Sequence, residues 1–306
     1  MSLAALLLAL VGRVVFSFVD PAIDESSGLV DLGSLMATVD DSGGDPLVFV
    51  VDPRTGRTVG HTTFASRTED VEALAPAGAG SVWVGDIGDN AEERTSVRVY
   101  RVDLGRGDRR VDAPSYELVY PDGPHDAESL VAAPDGRLYV ITKGLLGGTA
   151  YAAPRHLDPG RTNRLRPVAS VDVWATDAAF FPDGRHLLVR GYDNAVVYSF
   201  PDWRPVASFD LPRQRQGEGV SISRSGRVRL SSEGRHAAVL QVDLPDAVRT
   251  IVEPAEATPA HPAGADVPDD AVPADSATPG RHVAAVTVAL VAAVGAGLVL
   301  RRRRHR

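Results

Sequence analysis

The chain contains no cysteine. That excludes thiol nucleophiles, disulfide staples and cysteine-ligated metal centres. Lysine is nearly absent too. Lys143 is the only one, and arginine supplies the rest of the 32 basic side chains. With the abundant Ala, Val, Asp and Gly, this is the composition of a GC-rich genome. Positive charge is in deficit, with a formal net charge of −8. Six arginines fall within residues 281–306, so the remainder is more acidic still. Such a surface argues against DNA or RNA as a partner. No GxSxG elbow, HExxH helix, Walker loop or zinc-ligand spacing occurs. No stretch between residues 25 and 250 sustains a 3.6-residue apolar period, which argues against an α-helical fold.

What is present is a repeat. Asp70-Val71-Glu72-Ala73-Leu74 returns as Asp126-Ala127-Glu128-Ser129-Leu130. Weaker copies are Glu25-Ser26-Ser27-Gly28-Leu29, Asp177-Ala178-Ala179-Phe180-Phe181 and Gln216-Gly217-Glu218-Gly219-Val220. Each head opens a cassette of short Val-, Leu-, Tyr- and Phe-rich strands. Turns such as Pro134-Asp135-Gly136 and Pro182-Asp183-Gly184 punctuate them. Four strands per unit of roughly 40–50 residues is the blade of a β-propeller. Five cassettes predict an all-β, five-bladed propeller over residues 14–252, with six blades open if one has lost its head. Residues 14–19 are expected to pair with the last blade and close the ring, since an open ring leaves a bare sheet edge.

The ends carry different signals. Residues 282–300 are an unbroken run of apolar and small residues, long enough at about 1.5 Å per residue to cross a bilayer core. Residues 301–306 are five arginines and a histidine, which marks a cytoplasmic side. Residues 253–281, rich in Pro, Ala and Asp, read as an extended stalk. Residues 1–13 hold a truncated signal-like segment, with the apolar run at 3–11. The expectation is a single-pass plasma-membrane protein with an extracellular propeller and a cytoplasmic C-terminus.

In a propeller the innermost strand of each blade lines the channel. The heads should therefore bring Glu25, Asp70, Glu72, Asp126, Glu128, Asp177 and Glu218 to one mouth. Packed carboxylates repel unless protons or a cation intervene. An oxygen-only donor set suits Ca2+. Alternatively, each carboxylate caps strand amides or ties blades to arginines. A second layer sits at the ends of the second strands: Asp40-Asp41-Ser42-Gly43, Asp86-Ile87-Gly88-Asp89-Asn90, Thr142-Lys143, Arg190-Gly191-Tyr192 and Ser232-Glu233-Gly234. These loops are expected at the opposite mouth. The Asp86–Asn90 loop is open to two readings, a Ca2+ loop or an Asx turn. Lys143, Arg190, His125 and Glu233 are candidate ligand-binding residues, with His125 a possible general base.

Glu25-Ser-Ser-Gly-Leu29, Asp86-Ile-Gly-Asp-Asn90, the Tyr120–Glu128 segment, Thr142-Lys143, Gln216-Gly-Glu218 and Ser232-Glu-Gly234 resemble a group of bacterial secreted propeller proteins of the WD40-like kind. The resemblance covers about residues 16–250. It implies the fold and the exterior location without supplying a reaction. The chain is more loosely similar to esterase-like phytase and gluconolactonase-type propellers. That likeness implies a channel metal, to which Glu25, Glu72, Glu128 and Glu218 would correspond. The fourth head departs from it, with Ala179 where an acid is expected. Two functions follow as expectations. One is a ligand- or protein-binding head. The other is a metal-dependent hydrolase of esters, lactones or phosphate esters.

Overall fold

The computed structural model describes residues 12–41, 46–65 and 67–253. The signal-like run before residue 12, positions 42–43, and the stalk, span and tail beyond residue 253 lie outside the described residues. Among the described residues no helix is long and apolar enough to cross a membrane.

Alternating and doubly buried apolar runs form short strands throughout. β1 (Gly12–Ser17) precedes the first head. Blade one is β2 (Ser26–Asp31), β3 (Met36–Asp40), β4 (Leu47–Asp52) and β5 (Arg57–Thr63). Blade two is β6 (Val71–Pro76), β7 (Ser81–Asp86), β8 (Val97–Asp103) and β10 (Ser115–Val119), with the two-residue β9 (Arg109–Arg110) between the last two in sequence but on the sheet of blade one. Blade three is β11 (Ala127–Ala132), β12 (Leu138–Thr142), β13 (Gly148–Ala152) and β15 (Arg166–Val171), with β14 (Asn163–Arg164) between the last two in sequence but on the sheet of blade two. Blade four is β16 (Asp177–Phe180), β17 (His186–Arg190), β18 (Asn194–Ser199) and β19 (Pro205–Asp210). Blade five is β20 (Gly217–Ile222), β21 (Val228–Ser232) and β22 (Ala238–Val242).

Among the described residues these strands make five sheets, antiparallel apart from two short edge additions, so the protein is a five-bladed β-propeller. β1, which precedes blade one in sequence, completes blade five, pairing antiparallel with β22 from Gly12↔Val242 to Ser17↔Ala238. The closing strand thus begins two residues earlier than expected. Two outer edges are also covered. β9 adds in parallel to β5 of blade one, and β14 to β10 of blade two. Each addition hides backbone groups that would otherwise invite edge pairing.

The core is divided among the blade interfaces rather than concentrated on the axis. Five apolar clusters are present, one between each pair of neighbouring blades. Tyr139 and Ile141 of blade three meet Leu187, Val189 and Tyr198 of blade four. Phe16, Leu29, Met36 and Val239 join blade five to blade one. Each fully buried side chain of this size contributes about 1.5–3 kcal/mol. One element escaped the periodicity: α1 (Asp246–Val252), a seven-residue helix. It buries Val248 and Val252 in the cluster between blades four and five. It is too short to show a helical period in sequence.

The inner strands pass close to one another, and small residues make that possible. A Cβ on Gly28 of β2 would lie 2.5 Å from the backbone nitrogen of Leu74 on β6. One on Gly219 of β20 would lie 2.5 Å from the Ser231 hydroxyl and 2.9 Å from Leu29.

Candidate functional site

The first residue of each inner strand pairs with the last residue of the second strand. Ser26 faces Asp40, Val71 faces Asp86, Ala127 faces Thr142, Asp177 faces Arg190 and Gly217 faces Ser232. The heads and the second-strand loops therefore share one mouth. This corrects the expectation that the loops lie at the opposite mouth. In an antiparallel hairpin the start of one strand and the end of the next are neighbours.

Register slips single out the acidic positions. In blade two the slip falls between Val71 and Ala73, leaving Glu72 as the extra residue. In blade three it falls between Ala127 and Ser129, leaving Glu128. In blade five it spans Gly217 to Val220, around Glu218, and in blade one Ser26 to Leu29. A β-bulge re-aims the side chain that it frees from the ladder. Blade four has no slip; its pairing runs unbroken from Asp177↔Arg190 to Phe180↔Leu187.

Glu72, Glu128 and Glu218 are exposed by only 2%, 5% and 4%. Yet each senses the charges of the others' neighbourhood. Burial, then Asp41, Glu128 and Asp70, push the Glu72 carboxyl up to about 10. Burial, then Glu218, push Glu128 up to about 8 against the pull of Lys143. Burial raises Glu218 to about 7, with Lys143 and Arg190 opposing and Glu233 and Asp41 adding to it. Asp41 rises to about 7 through burial, Asp70, Glu25 and Glu233. Burial and Asp126 raise Asp70. Carboxylate oxygens of Asp41, Asp70 and Glu72 all lie within 4.8 Å of one another. The Ser27 hydroxyl, 3.0 Å from Glu72 Oε2, bonds across the blade interface. Glu128 Oε2 and Glu218 Oε2 are buried with no hydrogen-bond partner.

Lys143 follows directly on β12 and contacts the Glu128 carboxylate. Its ammonium lies 5.4 Å from the Tyr192 ring centroid and 5.9 Å from that of Trp174. The two rings meet edge to face at 5.2 Å. Burial works against the Lys143 charge, but Glu128 outweighs it and raises the pKa. Glu233 accepts a 2.6 Å bond from Gln216 Nε2 and is raised by burial and by Glu25.

Other expected site residues are placed elsewhere. Asp177 accepts the amides of Ala178 at 2.8 Å and Val220 at 2.7 Å. In the hairpin register it matches Val71 and Ala127 rather than Asp70 and Asp126, so the fourth head is offset by one residue. Arg190 is fully buried. It donates to the carbonyls of Gly219 and Ser231 and to Gln214 Oε1, at 2.6, 2.9 and 2.8 Å. It ties blade four to blade five and is not available to a ligand. His125 Nε2 lies 3.1 Å from Asp122 Oδ1 and 3.0 Å from the Tyr151 hydroxyl, a local knot beside Asp126. Asp126 Oδ1 accepts the amide of Asp89.

The Asp86–Asn90 loop is closed by its own side chains. Asp89 accepts the amides of Glu93 and Arg94, at 3.0 and 2.8 Å. Asp86 accepts those of Glu69 and Asp70, and Asp40 those of Asp24 and Glu25. Asp40 and Asp86 thus anchor the head loops across the hairpin, over 15–17 residues of sequence, and Asp89 closes its own loop four and five residues on, longer than the expected Asx turn. Among the described residues, Asp41, Trp174 and Tyr192 join the site without having been selected from sequence. Asp41 and Tyr192 lay within the second-strand loops. Trp174 had no signal.

No protein-family model matches the chain, and no curated protein matches it. Solved structures with similar folds include the gluconolactonase XC5397 of Xanthomonas campestris. It is 16% identical, covers 79% of this chain and 92% of its own, and has a TM-score of 0.47. A PQQ-bound aldose sugar dehydrogenase of Streptomyces coelicolor is 12% identical over 78% and 97% of the two chains, with a TM-score of 0.45. The hydrazine synthase of Kuenenia stuttgartiensis is 18% identical over 70% of this chain, with a TM-score of 0.41, and the match spans 58% of its length. No activity passes from these structures to this chain at such distances.

Proposed function

We propose that this chain is a ligand-binding propeller whose acidic mouth holds a divalent cation, with Ca2+ the ion that the donors suit. The observation that carries the reading is the oxygen triad of Asp41, Asp70 and Glu72, within 4.8 Å of one another. It adjoins two buried carboxylate oxygens, on Glu128 and Glu218, that have no partner. Carboxylates withdrawn from water repel strongly, and a cation removes that cost. Ca2+ accepts about six to eight oxygens in loose geometry. Three carboxylates leave positions for water or a ligand. Lys143, Tyr192, Trp174 and Glu233 form the face beside it. We further propose that the propeller stands outside the cell on a single span, the orientation favoured by the arginines beyond residue 300.

A second reading is a metal-dependent hydrolase of esters, lactones or phosphate esters. It is supported by Glu218, outside the cation triad, which burial pushes up to about 7. Such a group exchanges a proton near neutral pH. The absence of a nucleophile motif from the sequence favours binding over turnover. Calorimetric titration with Ca2+, run beside a screen of ester, lactone and phosphate-ester substrates with Ca2+ or chelator, separates the two. Ca2+ binding without turnover supports the binding head. Turnover that needs Ca2+ and is lost in Glu72→Gln supports the hydrolase. No binding of any divalent ion removes both.

A further inference from the structure

Lys143 occupies a singular position. It is the only lysine of the chain, and it stands at the mouth that collects the carboxylates. Two other cations near this mouth, Arg190 and Arg94, are held by protein groups. Arg190 is sealed between blades by two carbonyls and Gln214. Arg94 donates to Gly88 and Asp86 at 2.6 and 2.9 Å. Lys143 is held between Glu128 and the faces of Tyr192 and Trp174, which fixes its ammonium without exhausting its three donors. Trp174 remains 40% exposed beside it, an apolar surface at the rim of a charged site.

The charge balance sets an order of events. Without metal, Asp41, Glu128, Glu218 and Glu233 feel the charge of one ammonium, and Glu25, Asp70 and Glu72 add to the acidity around Asp41. The negative charge that this mouth carries disfavours anions. A divalent ion on the Asp41–Asp70–Glu72 side would offset part of that negative charge and add a second positive centre to the mouth that holds Lys143. We propose that the ligand of this site is an organic oxyanion, a carboxylate or a phosphoryl group. One end binds between the cation and Lys143, its carbon body lies on Trp174, and it is admitted only after the cation. This rests on the cation reading above and names the ligand class and the residue that selects it. Lys143 supplies the charge-assisted hydrogen bond, and open cation positions supply the second contact.

The test is calorimetric titration of the full chain with benzoate and with phenyl phosphate, in millimolar Ca2+ and in chelator. Benzylammonium serves as the opposite-charge control. A prior titration with Ca2+ alone reads the cation site. The expected result is that one or both oxyanions bind in Ca2+ and neither binds in chelator. Their relative affinities decide between carboxylate and phosphoryl. Lys143→Met should keep Ca2+ binding and weaken the oxyanion about tenfold or more, and Lys143→Arg should restore part of it. Lys143→Gln gives the same reading should the Met variant melt early. Equal oxyanion binding in chelator, undiminished binding in both neutral variants, or uptake of benzylammonium alone would overturn the proposal. If neither oxyanion binds while Ca2+ does, this inference falls and the cation reading stands. Failure of Ca2+ itself to bind shows in the first titration and removes both.

Discussion

Asp177 at the start of β16 accepts the amide of Val220 on β20 at 2.7 Å and that of Ala178 at 2.8 Å. A side chain that reads in sequence as one more channel acid is thus a clamp between blades four and five. Its burial is complete, and burial holds its pKa well above the usual carboxylate range.

Removing that clamp leaves two buried amides unpaired. Asp177→Ala should cost about 2–5 kcal/mol of stability, read by urea unfolding. The rise in melting temperature on adding Ca2+ should keep its wild-type size. A stable variant that has lost its Ca2+ response would return Asp177 to the metal site and count against the clamp.

Ring closure by β1 makes a second prediction. Phe16 on β1 is 7% exposed and sits in the cluster that joins blades five and one. Phe16→Ala should cost about 3–5 kcal/mol, and removing residues 12–17 should cost more because it also bares the β22 edge. An unchanged melting temperature in the truncated chain would refute closure by this strand.

The sequence held much of this fold and less of its site. The Pro-Asp-Gly turns at 134–136 and 182–184, and the strand His186–Arg190, come directly from local composition. The heads were visible because an acid stands out before an apolar run. What was hidden depends on partners distant in sequence. A bulge at Glu72 or Glu128 is a property of the pairing with β7 or β12, not of either strand alone. The one-residue offset of the fourth head has the same origin, since only the unbroken Asp177↔Arg190 register reveals it. Asp41 and Tyr192 lie just past the second strands, and their place beside the heads follows from the Ser26↔Asp40 and Asp177↔Arg190 pairings rather than from the composition of either loop. Trp174 carries no pattern of its own; it matters only because β15 ends next to the third and fourth blades' loops.

The outer face offers a pH test that is independent of the mouth. His61 Nδ1 lies 2.8 Å from Asp108 Oδ1, and its Nε2 lies 3.2 Å from Asp20 Oδ2. Burial disfavours the imidazolium, but the bonds to Asp108 and Asp20 outweigh it and raise the pKa above 6.5. A raised folded-state pKa gives stability that is complete below the unfolded value and fades as pH rises through the folded one. The stability gap between wild type and His61→Gln should therefore shrink from about pH 5 to about pH 9. A gap that is constant, or that widens with pH, would show that the two carboxylates do not set His61.

The central claim is that the mouth binds a divalent cation through Asp41, Asp70 and Glu72. A ligand specific to the folded state stabilises it by about 2.7 kcal/mol at one hundred times its Kd. For a propeller of this size that is a rise of several degrees in Tm, at about 2–4 °C per kcal/mol. The direct measurement is the thermal melt of wild type, Asp41→Asn and Glu72→Gln with chelator and with millimolar Ca2+. Wild type should gain several degrees in Ca2+, and both variants should lose most of that gain. If Ca2+, Mg2+ and Mn2+ all leave the wild-type melt unmoved, the cation site does not exist and the carboxylates are held by protons alone.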